Sequence, residues 1–72
     1  MTIVEQVFRG DARSGFRGDT ITLGWGERTR VHGRRMSDGG VAFATSLPRG
    51  TVLHEGDAFV LEDERVVVTV RE

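Results

Sequence analysis

Apolar residues alternate with polar or small residues along most of this chain, and no stretch repeats them at the spacing of a helix face. In "DTITLGW", Ile21, Leu23 and Trp25 fall on one side of an extended chain, and the valines of "RVVVTVRE" alternate in the same way. A period of two is typical of a β-strand with one buried face. The pattern therefore predicts an all-β domain.

Turn residues divide the chain into six segments of strand length, at 2–8, 20–25, 28–36, 41–46, 58–62 and 65–71. The turn "SDGG" at 37–40 predicts a hairpin, because glycine supplies the positive φ angles that tight hairpin turns need. Six short strands in 72 residues predict a single domain, 1–72, built as a small sandwich or barrel. The polar segment 9–19 is predicted to be a mobile loop. The predicted core comprises Val4, Val7, Ile21, Leu23, Trp25, Val31, Val41, Phe43, Leu47, Leu53, Phe59, Leu61, Val66, Val68 and Val70.

Composition argues against several classes of function. The chain has no cysteine, so neither a disulfide nor a catalytic thiolate is available. Its serines and histidines lie in no nucleophile motif, and a domain of this size has little room for a substrate pocket, so we expect no enzyme. No apolar run reaches the ~18 residues that span a membrane, and the first residues do not read as a signal peptide. We expect a cytoplasmic protein without a membrane partner.

A metal site has weak support in the sequence. The two histidines, His32 and His54, are distant in the chain and belong to no ligand motif. His54 precedes Glu55 and Asp57 closely enough to form a loose surface site, which makes His54 the one weak candidate ligand. Because a stable site needs three or four ligands of fixed geometry, we predict no metal site.

A basic row, Arg28, Arg30, His32 and Arg34, occupies alternate positions of the segment 28–36 and would share one face of a strand. The first 35 residues carry seven arginines against four acidic residues, although the net charge of the chain is −1. This face could be solvated, could dock an acidic protein, or could bind nucleic acid. Nucleic-acid platforms need aromatic side chains beside the charges, and this segment has no tryptophan or phenylalanine.

The order of features over residues 20–72 resembles the N-terminal domain of the UreE family, the urease accessory nickel metallochaperones. The match covers most of the chain, and it lies in the order and spacing of the features together. The features are Trp25, Glu27-Arg28, the basic segment 28–35, Asp38 and Gly39, Leu47-Pro48-Arg49-Gly50, Leu53, Gly56-Asp57 and the valines of 66–70.

The resemblance implies two three-stranded sheets packed as a sandwich, which agrees with the six predicted strands. It also implies a polypeptide-binding domain, a non-catalytic module that assists nickel delivery and assembly of the urease metallocentre. In the family, nickel binds to a second domain whose ligands have no counterpart here, so we expect no cofactor in this domain. We predict that the basic row and Arg49 bind a protein partner, such as the urease assembly complex. A nucleic-acid-binding barrel using Arg28, Arg30 and Arg34 and a weak metal carrier are the alternatives.

Overall fold

The computed structural model describes residues 1–10 and 13–71. These residues form seven strands and one short 3₁₀ helix at Trp25–Arg28. The strands are β1 (Ile3–Val4), β2 (Phe8–Arg9), β3 (Arg17–Thr22), β4 (His32–Met36), β5 (Ala42–Ser46), β6 (Asp57–Leu61) and β7 (Val66–Arg71).

The strands form two sheets, one with the order β1-β5-β4 and one with the order β2-β6-β7-β3. β1 pairs parallel with β5 and β3 pairs parallel with β7, whereas the other neighbours are antiparallel. The prediction of an all-β fold made of two sheets is confirmed. The second sheet has four strands because the first predicted strand, 2–8, is divided between the sheets: Ile3–Val4 pairs with β5, and Phe8–Arg9 pairs with β6.

The core lies between the two sheets, where Phe43 of β5 and Phe59 of β6 meet with their ring centroids 5.3 Å apart. Most of the predicted core residues are buried there, and Val7, Val31 and Val41 pack against them while partly exposed. Along the central strands β6 and β7, Val60 and Val67 are buried too, although they point away from the first sheet. On that outer side Arg13 contacts the Phe8 ring and the Glu62 carboxylate.

Trp25 is 78% exposed, so the prediction that it belongs to the core is wrong. The amide of Leu23 donates to the carbonyl of Arg71 (3.0 Å), where the neighbouring strand β7 ends. The ladder between β3 and β7 ends here among the described residues, and the chain turns into the 3₁₀ helix at Trp25. In the sequence the alternation of apolar residues extends to Trp25, whereas the ladder between β3 and β7 ends at Thr22.

The predicted loop 9–19 contains strand residues at both ends, since Arg9 belongs to β2 and 17–19 belong to β3. Residues 11 and 12 lie outside the described residues. The mobility of the remaining loop stays a prediction.

Two aspartates fasten the β4–β5 turn of the first sheet to strand β3 of the second. Asp19 accepts hydrogen bonds from Ser37 Oγ (2.6 Å) and from the amide of Gly39 (3.2 Å). Asp38 accepts from the hydroxyls of Thr20 (2.7 Å) and Thr22 (3.1 Å). The bond from Ser37 lowers the pKa of Asp19, and the bond from Thr20 lowers the pKa of Asp38. The turn therefore joins the two sheets at one end of the sandwich.

Candidate docking site at the edge of β4

β4 is an edge strand that pairs only with β5 among the described strands. The amide of Leu47 donates to the carbonyl of Val31, and the amide of Ser37 donates to the carbonyl of Val41. These two bonds fix the register between β4 and β5 just before and just after β4. In an antiparallel pair, every second residue turns both backbone groups toward the neighbouring strand. The amides and carbonyls of His32, Arg34 and Met36 therefore point away from β5, toward the open side of the sheet.

The side chains of the same three residues are exposed on the outer face of the sheet. The basic row is only partly on this face, because β4 begins at His32. Arg28 belongs to the 3₁₀ helix and Arg30 precedes the strand, so the prediction that all four residues share one strand face is wrong. Met36, with 62% of its surface exposed, adds an apolar contact to the face.

Arg30 folds back onto the edge of β4. Its Nη2 donates to the carbonyl of Arg34 (2.8 Å) and lies 3.6 Å from Glu27 Oε1. The guanidinium lies over Gly33, where a Cβ atom would be 3.7 Å from Arg30 Cζ. Gly33 has a φ of +133°, a conformation that side chains rarely adopt, so glycine is favoured at this contact. The Arg30 side chain thus forms a hydrogen bond with one of the carbonyls on the open side of the edge strand.

Arg35 is a buried cation beneath this edge, and its side chain is 1% exposed. Its Nη2 donates to the carbonyls of Glu27 (2.9 Å) and Arg30 (2.7 Å), while Nη1 lies 3.9 Å from Glu27 Oε1. Burial lowers the pKa of Arg35. Arg35 is not among the predicted core or site residues, although alternation places it on the face opposite to Arg34. In the ladder it lies opposite Phe43, at a position that faces the core.

A groove of about 230 Å³ opens between β3 and β4, each of which is an edge strand of its own sheet. Buried apolar residues, Ile21 and Leu23, contribute to its lining. Polar and charged side chains make up most of the rest: Thr22, Glu27, Arg30, Arg34, Arg35 and Asp38. The groove therefore combines basic groups with an open strand edge.

The 3₁₀ helix carries an exposed aromatic residue beside this groove. The guanidinium of Arg28 lies 5.7 Å from the centre of the Trp25 ring, within cation–π range. The amide of Leu53 donates to the carbonyl of Arg28 (2.9 Å), which holds the bend after β5 against the helix. Arg49 is exposed in the same bend.

The loop that holds the weak metal candidate His54 is organised by Asp57. The Asp57 carboxylate is buried, accepts from the amide of His54 (2.8 Å) and lies 3.5 Å from Arg9 Nε. It is therefore used to hold the turn. Over residues 1–10 and 13–71, no three histidine, aspartate or glutamate side chains are grouped as metal ligands. The same residues include no helix long and apolar enough to span a membrane.

Comparison with known proteins identifies the family. The model of the UreE urease accessory protein N-terminal domain matches residues 4–71. Two curated proteins named urease accessory protein UreE are similar to the chain: one from Chelativorans sp. (strain BNC1), 46% identical over 52 residues, and one from Azorhizobium caulinodans, 47% identical over 49 residues. Each match covers 68% of this chain but only 31% and 24% of the relatives, so the chain spans less than a third of their length. With a match to nearly all of its residues, the chain belongs to the family of UreE N-terminal domains.

Proposed function

We propose that this domain is a non-catalytic protein-interaction module that acts in urease maturation in the cytoplasm. Membership of a urease accessory family supports the process. The single observation that carries the molecular role is the open edge of β4, where exposed basic side chains stand beside backbone groups that pair with no other described strand. Open edges and clustered arginines are features that partner proteins recognise.

The docking surface that we propose consists of Arg30, His32 and Arg34 at the edge of β4, with Arg28 and Arg49 beside it. Trp25 adds an anchor, because exposed tryptophans and arginines contribute most to many protein interfaces. The partner surface would be acidic and would belong to the urease assembly complex. We propose no cofactor for this domain and assign nickel delivery to the larger family architecture.

Binding to purified urease apoprotein tests this proposal. Arg34 and Arg49 are exposed, and within residues 1–10 and 13–71 neither side chain forms a hydrogen bond or ion pair, so both can be replaced by glutamate without opening the core. The double variant should bind the apoprotein at least about tenfold more weakly, because each reversal removes an attraction and adds a repulsion. Arg17→Glu, at the far end of β3, is the matched control and should bind as wild type does. Equal binding by the double variant and the wild type would contradict the proposal.

A second candidate function, binding of single-stranded nucleic acid, gains support from one observation. The exposed Trp25 ring with Arg28 beside it supplies the aromatic platform that the segment 28–36 lacks. Oligonucleotide binding that weakens steeply with salt and is lost in Trp25→Ala would favour this function. Absence of binding at low salt would exclude it.

A further inference from the structure

The two neighbouring open edges of the sandwich differ in how they are covered. On β3, the outward carbonyl of Thr20 accepts from the amide of Asp38 (2.8 Å), and the outward amide of Thr22 donates to the Asp38 carboxylate (3.3 Å). On β4, the Arg30 side chain occupies the carbonyl of Arg34. Within the part of the chain that the structure describes, no backbone bond engages the outward groups of His32 and Met36. β4 is therefore the edge that can accept another strand.

The contacts around β4 indicate the charge of the segment that would fit there. Arg30 and Arg34 flank the edge, and Arg35 lies beneath it. Asp38, which also lines the groove, already accepts hydrogen bonds from β3. Glu27 is the acidic group beside the arginines, with Oε1 3.6 Å from Arg30 and 3.9 Å from Arg35. Its carboxylate occupies a position that the side chain of an acidic partner could take. The cationic edge therefore favours an acidic segment over a neutral or basic one.

We infer that β4 binds an extended acidic segment of the partner protein as an additional strand, an inference that rests on the proposed function and deepens it. Backbone groups of the segment pair with His32, Arg34 and Met36. Acidic side chains on the outer face meet Arg34 and lie beside Met36, and the residues between them point to the opposite face of the sheet. Arg30 leaves the Arg34 carbonyl and binds a carboxylate of the incoming strand. Strand addition of this kind takes affinity from the backbone and selectivity from alternate side chains.

Amide hydrogen exchange with a model peptide tests this inference. The probe is an acetylated peptide of about eight residues, a usual strand length, in which aspartate and valine alternate. Its binding should slow exchange at the amides of His32, Arg34 and Met36. The amides of Gly33 and Arg35 already point toward β5, so they serve as internal references that change little. A counterpart peptide with lysine in place of aspartate should not bind.

Two variants of Met36 separate backbone pairing from side-chain contact. Met36→Pro removes an outward amide and places the proline ring in the path of the incoming strand, while leaving the bonds between β4 and β5 intact. It should weaken binding by about tenfold or more, whereas Met36→Ala, which keeps the amide, should weaken it by only a few-fold. Glu27→Gln should strengthen binding about twofold, because it removes the internal competitor for Arg30.

Several results would overturn the inference. These are peptide binding without protection of the three amides, equal loss of binding in Met36→Pro and Met36→Ala, or no binding at millimolar peptide. If Met36→Pro does not fold, as judged by circular dichroism, the exchange pattern of the wild type decides the question. Failure here leaves the apoprotein assay unaffected, because a partner could still dock on the side chains of Arg34 and Arg49 without adding a strand.

Discussion

Replacing Gly39 with alanine tests how tightly the β4–β5 turn is held against β3. A Cβ atom at residue 39 would lie 2.6 Å from Oδ2 of Asp19 and 3.1 Å from Oδ1. Both distances are shorter than ordinary van der Waals contact. The carboxylate cannot move aside freely, because it accepts from Ser37 Oγ at 2.6 Å and from the amide of Thr20 at 2.7 Å. The alanine must therefore break part of this network.

The hydrogen bonds of the Asp19 carboxylate decide whether Gly39→Ala stabilises or destabilises the domain. Gly→Ala in a compatible conformation stabilises a protein by about 0.4–1 kcal/mol, because it restricts the unfolded chain. Loss of a hydrogen bond to a charged group costs about 1.5–3 kcal/mol, with the lower end expected for the partly exposed Asp19. We therefore expect Gly39→Ala to destabilise the domain by about 1 kcal/mol. In a domain of this size, that corresponds to a fall in melting temperature of about 4–8 °C.

Thermal unfolding followed by far-ultraviolet circular dichroism is the assay. Tryptophan fluorescence would respond weakly, since Trp25 is already exposed in the folded domain. Gly26→Ala is the matched control, because a Cβ there would meet no atom within 4 Å. In an Asp19→Ala background, Gly39→Ala should cost less than it does alone, which a double-mutant cycle measures. A Gly39→Ala variant that melts at or above the wild-type temperature would refute this reasoning.

Four further predictions follow from named contacts. Trp25→Ala should change the free energy of unfolding by less than about 0.5 kcal/mol in urea titrations, because the ring is exposed; a larger loss would mean that it packs in solution. The folded pKa values of Asp19 and Asp38 are lowered, so the stability that they contribute is present above the ordinary aspartate pKa of 3.8 and is lost as the pH falls below that value through the lowered folded pKa. Melting temperatures measured across this range should fall on acidification, and Asp38→Asn should reduce the fall. Arg35→Met should destabilise the domain by about 1–3 kcal/mol, because two carbonyls lose their donor; an unchanged denaturation midpoint would contradict this. Nickel titration by calorimetry should detect weak binding or none, with His54→Ala unchanged, and a tight one-to-one site would overturn that expectation.

The sequence alone determined the class of fold and most of the core. Alternation along β3, β5 and β7 is a local property, and burial of one strand face follows from it wherever a sheet exists. The bounds of β5, β6 and β7 differ from the predicted ones by a single residue at one or both ends. The same local signal correctly placed Phe43 and Val68 in the core, although it did not show that Val67, on the other face of β7, is buried too. The ordered features from Trp25 to the last valine strand also identified the family.

Only the tertiary structure decided where the ladders end and which strands are neighbours. Trp25 continues the alternation of Ile21 and Leu23, but it lies beyond the ladder of β3 with β7, in a 3₁₀ helix that leaves its side chain exposed. The division of the first segment and the parallel pairing of β1 with β5 depend on contacts between distant residues, which a local pattern does not record. Alternation places Arg34 and Arg35 on opposite faces of β4, but only the tertiary contacts show that a buried cation is accommodated at residue 35. Their surroundings are set by the strand register and by the 3₁₀ helix that packs against it.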